Sequence, residues 1–247
     1  MALKLLSAAL IVVAWSIISL LLPENLFPGP ARTAAVLWDN VVGGEVGAHL
    51  SITLLRVGGG FVLAMLIGIP VGVVMGLYRR AERVLDLWVM VGLTIPSLCY
   101  TIICFIWFGL NEVATILAIA VTTAPSIAIN LWEGVKDIDG KLIDMARVFE
   151  TSRPRLFRRV VLPQVLPYIM AASRFGLGVI WKITVLVELL GRPNGVGFKL
   201  FYWYQLANME QVLAWTLLFT LVMLAIELGI FKQLDDWLFG WRPRVRV

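Results

Sequence analysis

The sequence predicts an all-α membrane protein with six transmembrane helices, and three observations carry that prediction. Of 247 residues, 60% are hydrophobic and only 15% are charged, well below the ~25% charged residues of a soluble domain. Mean hydropathy is +0.89, more apolar surface than a soluble fold of this size can hide but acceptable to lipid on the outward faces of helices. Finally, the apolar residues gather in runs long enough to cross a bilayer, separated by short polar stretches, almost from end to end. A single membrane domain over residues 1–247 is therefore expected.

The spans follow in order. Residues 5–22 stand behind Lys4 and are followed by Pro23-Glu24-Asn25. The run is long for a signal peptide and has no small-residue cleavage site, so it reads as an uncleaved first span. Residues 51–77, 88–109, 113–131, 166–190 and 211–231 supply the other five. Only Leu110-Asn111-Glu112 separates the third from the fourth, which predicts a tight hairpin. Barrel strands would be half as long and would alternate in polarity. Cys99 and Cys104 fall within one run on different helical faces, so they read as packing residues without a disulfide.

Charge placement sets the orientation. With both termini in the cytoplasm, fifteen Lys and Arg residues fall in inside segments and three (Arg32, Arg192 and Lys199) outside. Arg56, Arg174 and Lys182 lie within spans. This asymmetry is the positive-inside pattern and supports an even number of crossings. It also accounts for the net charge of +5 without invoking nucleic acid.

Outside, Ala31–Val42 has helical spacing and suits a helix lying on the membrane surface. Residues 191–210 are glycine-punctuated and aromatic, with Phe198, Phe201, Tyr202, Trp203 and Tyr204 close together. The first reading of that cluster is a membrane-interface belt; the second is a docking surface or gate. Inside, residues 132–165 are the longest loop. Ile138, Leu142, Met145 and Phe149 recur at helical spacing, a polar turn follows at Glu150, Thr151 and Ser152, and Pro154 suits the first turn of a second short helix. Leu162-Pro163 and Pro167 are expected to break the chain as it returns to the membrane. An apolar stripe with no core of its own needs either a partner protein or the lipid surface.

The loop resembles the EAA loop of ABC-importer permeases. That signature is E-A-A-x-x-x-G-x(9)-I-x-L-P, and the present chain reads Asp144-Met145-Ala146, Glu150, then Val160-Val161-Leu162-Pro163 at matching spacing. Met145 replaces the first Ala, and Glu150 stands where the signature has Gly. Glycine enters a left-handed turn freely and Glu does so only at a cost, which leaves the turn geometry open. Ser51–Gly76, Ile95-Pro96-Ser97, Trp107-Phe108-Gly109, Glu188 with Gly195-Val196-Gly197, and Trp241-Arg242 are similar to permeases of the nitrate/sulfonate/taurine type. The likeness covers about residues 30–245.

The resemblance implies a type I ABC-importer permease in the bacterial inner membrane, with a cytoplasmic coupling helix. Two cytosolic ATPase subunits would bind ATP and Mg, a second permease copy would complete the pathway, and an extracytoplasmic binding protein would deliver substrate. Asp144 to Arg153 would form the docking segment, with Met145, Val148 and Phe149 as apolar contacts and Arg147 and Arg153 as rim charges. This chain has no G-x-x-x-x-G-K-[ST] loop of its own. Phe198, Tyr202, Trp203 and Tyr204 would lie on the surface that meets the binding protein.

Ionisable groups within spans are costly and are functional candidates by default. Arg56 and Arg174 read first as snorkelling to the nearest interface, with a pathway role for Arg56 as the second reading. Lys182 and Glu188, with Trp181 and Thr184 nearby, are candidates for the pathway or a gate, against an inter-helix ion pair. Lys182 would attract an anionic substrate such as a sulfonate, a carboxylate or nitrate. His49, the only histidine, has no neighbouring ligand cluster that would suggest a metal site, and no nucleophile and base arrangement points to catalysis. A stand-alone secondary transporter or channel is the competing reading; it would be expected to show repeat symmetry or a buried charge relay.

Overall fold

A computed structural model describes residues 2–138 and 140–239. Among these every regular element is helical: α1 (Ala2–Leu21), α2 (Pro30–Val42), α3 (Glu45–Leu77), α4 (Arg79–Thr94), α5 (Ser97–Phe108), α6 (Glu112–Lys136), α7 (Gly140–Val148), α8 (Arg153–Leu156), α9 (Leu162–Gly191), α10 (Val196–Gln205), α11 (Met209–Ile226) and α12 (Lys232–Phe239). Two π-helical turns, Phe157–Val161 and Glu227–Phe231, join α8 to α9 and α11 to α12. Trp241-Arg242 lies outside the described residues.

Among the described residues four continuous helices are long and apolar enough to cross a bilayer: Glu45–Leu77, Glu112–Lys136, Pro154–Gly191 and Met209–Leu238. Helices α4 and α5 pass that test only as a pair, bent by 94°. Leu6–Leu21 is a shorter apolar helix. The third expected span is thus a broken one. Its break falls at Ile95-Pro96, because the residue before a proline is driven to extended backbone, and Ile95 has ψ 124.

The expected break at Leu162-Pro163 and Pro167 does not occur. The helix runs on from Pro154 to Gly191. Just before Pro163 the ladder widens, and the Leu162 N–H bonds the Phe157 carbonyl five residues back. A π turn inserts one residue without ending the helix, and the wider register accommodates the proline ring and its missing donor. Pro167 removes one further donor inside α9.

The chain forms two compact units. One comprises residues 1–54 and 188–232. Its core is Val46, Val196, Trp215 and Leu218, flanked by Leu37, Leu50, Leu200, Trp203, Phe219 and Val222. Polar pins fasten its helices: Asn40 Nδ2 donates to Gln211 Oε1 at 2.8 Å, and Arg32 meets Glu210 at 3.1 Å. Helix α1 is tied to the start of α2 by Trp15 Nε1, which donates to the Pro28 carbonyl at 3.0 Å. Ile11, on α1, is 67% exposed, as a lipid-facing residue would be.

The other unit comprises, of the described residues, those in 55–187 and those from 233 onward. Its centre is the seam between α3 and α6. Gly60, Ala64, Gly68, Gly72 and Gly76 recur every fourth residue along α3 and so form one face. A Cβ added at Gly68 would lie 2.8 Å from Ile127 and 2.9 Å from the Ala124 carbonyl. The helix backbones approach closely because side chains are absent, as at small-residue interfaces in membranes. Helices α4 and α5 also pack on α6, and Pro125 of α6 fills the space above Gly92. The tight hairpin before α6 matches expectation: Gly109 takes φ 81, and the Asn111 side chain caps the Ala114 N–H at 2.9 Å.

Candidate functional site

Three groups of residues singled out in the sequence fall at distinct places. The first is α7 and the turn after it. Phe149 donates its N–H to the Met145 carbonyl at 3.2 Å, and Thr151 donates to Ala146 at 3.0 Å. Glu150 sits between them at φ 49. This is a Schellman ending, in which a left-handed residue folds the chain back onto the last turn. The signature's glycine position is therefore the left-handed one, and Glu150 keeps that backbone in spite of its side chain.

The ending decides what faces outward. Ala146 is 6% exposed, whereas Met145, Val148 and Phe149 are 53%, 81% and 75% exposed. Asp144, Glu150 and Ser152 are also exposed and Thr151 is half-buried. The Arg147 and Arg153 side chains lie outside what the structure describes. A short helix and its end thus present three large apolar side chains that no element among the described residues covers, flanked by acidic and hydroxyl groups.

The second group is the set of charges in the spans. Arg56 does not snorkel. Its side chain is 1% exposed, and its Nε and Nη2 donate to the two oxygens of Glu112, each at 2.8 Å. A guanidinium buried in a span needs a carboxylate partner. Glu112, at the first residue of α6, meets it and also favours the positive end of that helix. Arg174 is half-buried and Lys182 exposed. Trp181 and Thr184 are buried, at 4% and 0% exposure, and the Thr184 hydroxyl is spent on the Ile180 carbonyl at 2.8 Å. Lys182 therefore stands on a different face of α9 from Trp181, Thr184 and Glu188.

The third group surrounds Glu188, which is fully buried. Its Oε2 accepts the Gly197 N–H at 2.8 Å. The Thr53 hydroxyl lies 2.9 and 3.0 Å from its two oxygens and 3.1 Å from the His49 carbonyl. That same hydroxyl accepts the Val196 N–H at 2.9 Å, which leaves its own proton to donate. The Gly197 N–H and the Thr53 hydroxyl both donate toward the carboxylate, an arrangement that suits a carboxylate used to fix backbone. Gly195, at φ 108, lies so close that an added Cβ would collide with the Glu188 carboxylate.

The aromatic cluster divides on α10. Phe198 stacks on His49 at 6.1 Å and Trp203 packs on the Trp215 core. Tyr202 and Tyr204 are 43% and 68% exposed. Among the described residues no group of His, Cys, Asp and Glu could hold a metal ion. Sequence reasoning missed Glu112, Thr53 and His49 as partners. The available signal for the first was the rule that a buried intramembrane arginine implies a carboxylate. For the other two it was the glycine pair flanking Val196 just after Glu188.

Comparison with known proteins identifies the family and the fold. Residues 68–237 match the family of binding-protein-dependent transport system inner membrane components. A permease protein assigned to aliphatic sulfonates transport in Bacillus subtilis (strain 168) is 31% identical, over 96% of this chain and 87% of its own. The taurine transport system permease protein of Escherichia coli (strain K12) is 30% identical over 97% and 89%. The nitrate import permease protein of Synechococcus elongatus is 30% identical over 76% and 71%. In structure, an inward-facing form of the MetNI methionine ABC transporter matches with a TM-score of 0.68 at 20% identity, covering 83% of this chain and 98% of that one. The fold is therefore the permease fold, and the chain belongs to the binding-protein-dependent transport system inner membrane components, the permease subunits of ABC transporters.

Proposed function

We propose that this chain forms the substrate pathway of an ATP-driven importer and is coupled through α7 to a separate ATPase subunit. The observation that carries the reading is the exposed triad Met145, Val148 and Phe149 on a helix whose end is fixed by a left-handed turn. Exposed large apolar groups on a short helix with polar flanks are what a protein cleft buries. Two ATPase subunits would hold ATP and Mg, and two copies of this chain would enclose the pathway. Closure of the ATPase pair would then rock the permease between inward-open and outward-open states.

In this reading both termini lie in the cytoplasm, and an extracytoplasmic binding protein delivers the substrate near α2 and α10. The substrate is a small organic anion such as a sulfonate or carboxylate, or nitrate; the relatives' cargoes and the exposed Lys182 support that class. The test is Phe149→Asp in the reconstituted transporter. Uptake should fall at least tenfold, while the variant still inserts, purifies and hydrolyses ATP at an uncoupled rate. Unchanged uptake would overturn the coupling assignment.

A further inference from the structure

Helix α10 has no cap of its own. Its N-cap is Gly195, which offers no side chain, yet the first N–H groups of a helix need acceptors. Three consecutive ones find them on other helices. Gly195 donates to His49 Nδ1 at 3.0 Å, Val196 to the Thr53 hydroxyl at 2.9 Å, and Gly197 to Glu188 at 2.8 Å. His49 and Thr53 are one turn apart on α3, so a single helix face presents two of the three acceptors.

We propose that His49, Thr53 and Glu188 act together as a borrowed cap that positions α10, and that protonation of His49 releases its first bond. The three acceptors differ in chemistry. A hydroxyl accepts at any pH, and a carboxyl group still accepts after it takes up a proton. An imidazole that gains a proton at Nδ1 becomes a donor there and faces the Gly195 N–H with another N–H. His49 is half-buried, so protons reach it. It is also the only histidine, the side-chain type whose ordinary titration lies between about pH 5 and 8.

Partial burial, and after it Lys199 from α10, hold His49 below the ordinary imidazole value, while Glu45 on its own helix acts the other way, so the release lies toward the acid end of the range; Lys199 and Glu45 pair with each other at 2.7 Å. Helix α9 contributes Glu188, one hydrogen bond further along, and α11 presents the Trp215 ring edge-on at 5.9 Å. Phe198, which stacks on His49, sits one turn into α10, so loosening the first bond loosens the aromatic helix. The placement of this switch on the outer side, where it would sense external acid, rests on the topology proposed above.

The test is hydrogen exchange on the full chain in lipid nanodiscs, corrected for intrinsic rates and followed in peptides covering residues 192–205. It requires neither ATPase nor transport, so its outcome is independent of the importer reading. Protection in the wild type should fall about tenfold between pH 8 and pH 5, the size of one lost hydrogen bond. The fall should track the titration of the single imidazole, followed by NMR of nitrogen-labelled histidine. His49→Asn, which keeps an acceptor but does not titrate, should retain protection at both pH values. Wild-type protection that does not change with pH, a fall at a pH away from the imidazole titration, or a full pH step surviving in His49→Asn would each overturn the proposal.

Discussion

Arg56 and Glu112, 56 residues apart in sequence, hold each other through two 2.8 Å hydrogen bonds, one to each carboxylate oxygen. The pairing ties α3 to the start of α6 at the end of their seam where Gly60 lies. Its two members differ in exposure: Arg56 is sealed in, whereas the Glu112 side chain is 49% exposed.

That difference sets the cost of breaking the pair. Glu112→Ala takes two carboxylate hydrogen bonds from a buried guanidinium, and we expect a loss of about 2–4 kcal/mol, near the range for broken buried pairs. Replacing both residues with leucine should cost less than Glu112→Ala alone. Denaturant midpoints of the detergent-purified chain check both statements through a double-mutant cycle.

The seam makes a sharper prediction about glycines. Gly68 faces Ile127 and the Ala124 carbonyl, whereas a Cβ at Gly58 meets nothing within 4 Å. Gly58→Ala should stabilise the chain by up to about 1 kcal/mol through helix propensity. Gly68→Val should reduce folded yield severely, because the blocking atoms include backbone. Size-exclusion profiles of the two variants, expressed side by side, distinguish these outcomes.

Glu150 holds a left-handed conformation at φ 49. Glu150→Gly should relieve roughly 1 kcal/mol of backbone strain without changing the Schellman bonds. Thermal unfolding should shift upward by a few degrees at most, and α7 amides should exchange more slowly. A fall in stability would mean that the Glu150 side chain contributes more than its backbone costs.

Gly195 and Glu188 are predicted to fail together. Gly195→Ala places a methyl group against the buried carboxylate and adds strain at φ 108, so a loss above about 3 kcal/mol is expected from the two effects combined. Glu188→Gln keeps acceptor capacity but turns an amide donor toward other donors, and should cost less, about 1–3 kcal/mol. Limited proteolysis between α9 and α10 reports both.

Much of the helical architecture could be read from the sequence because the length of an apolar run is a one-dimensional signal. The helix at α2, the hairpin at Asn111 and the exposed stripe on α7 all follow from local spacing. What could not be read was tertiary. Arg56 looks like a snorkelling residue until Glu112 is brought beside it, and nothing local announces that Thr53 will hold Glu188. A kink at Pro96 is legible from the proline itself, but not its 94° angle, since hydropathy counts apolar residues and is blind to direction. At Pro163 the error ran the other way: a proline that normally ends a helix was absorbed by a π turn.

The ladder of small residues on α3 has a mechanical consequence. On the α3 side no rotatable side chain cushions the contact, and Ile119, Ile127 and Val135 of α6 seat directly on its main chain. Sliding by less than a full step would drive Ile127 into the α3 backbone at Gly68. Helices α3 and α6 are therefore stiff toward each other along the seam, and a push delivered at its Gly76 end would travel to its Gly60 end with little loss.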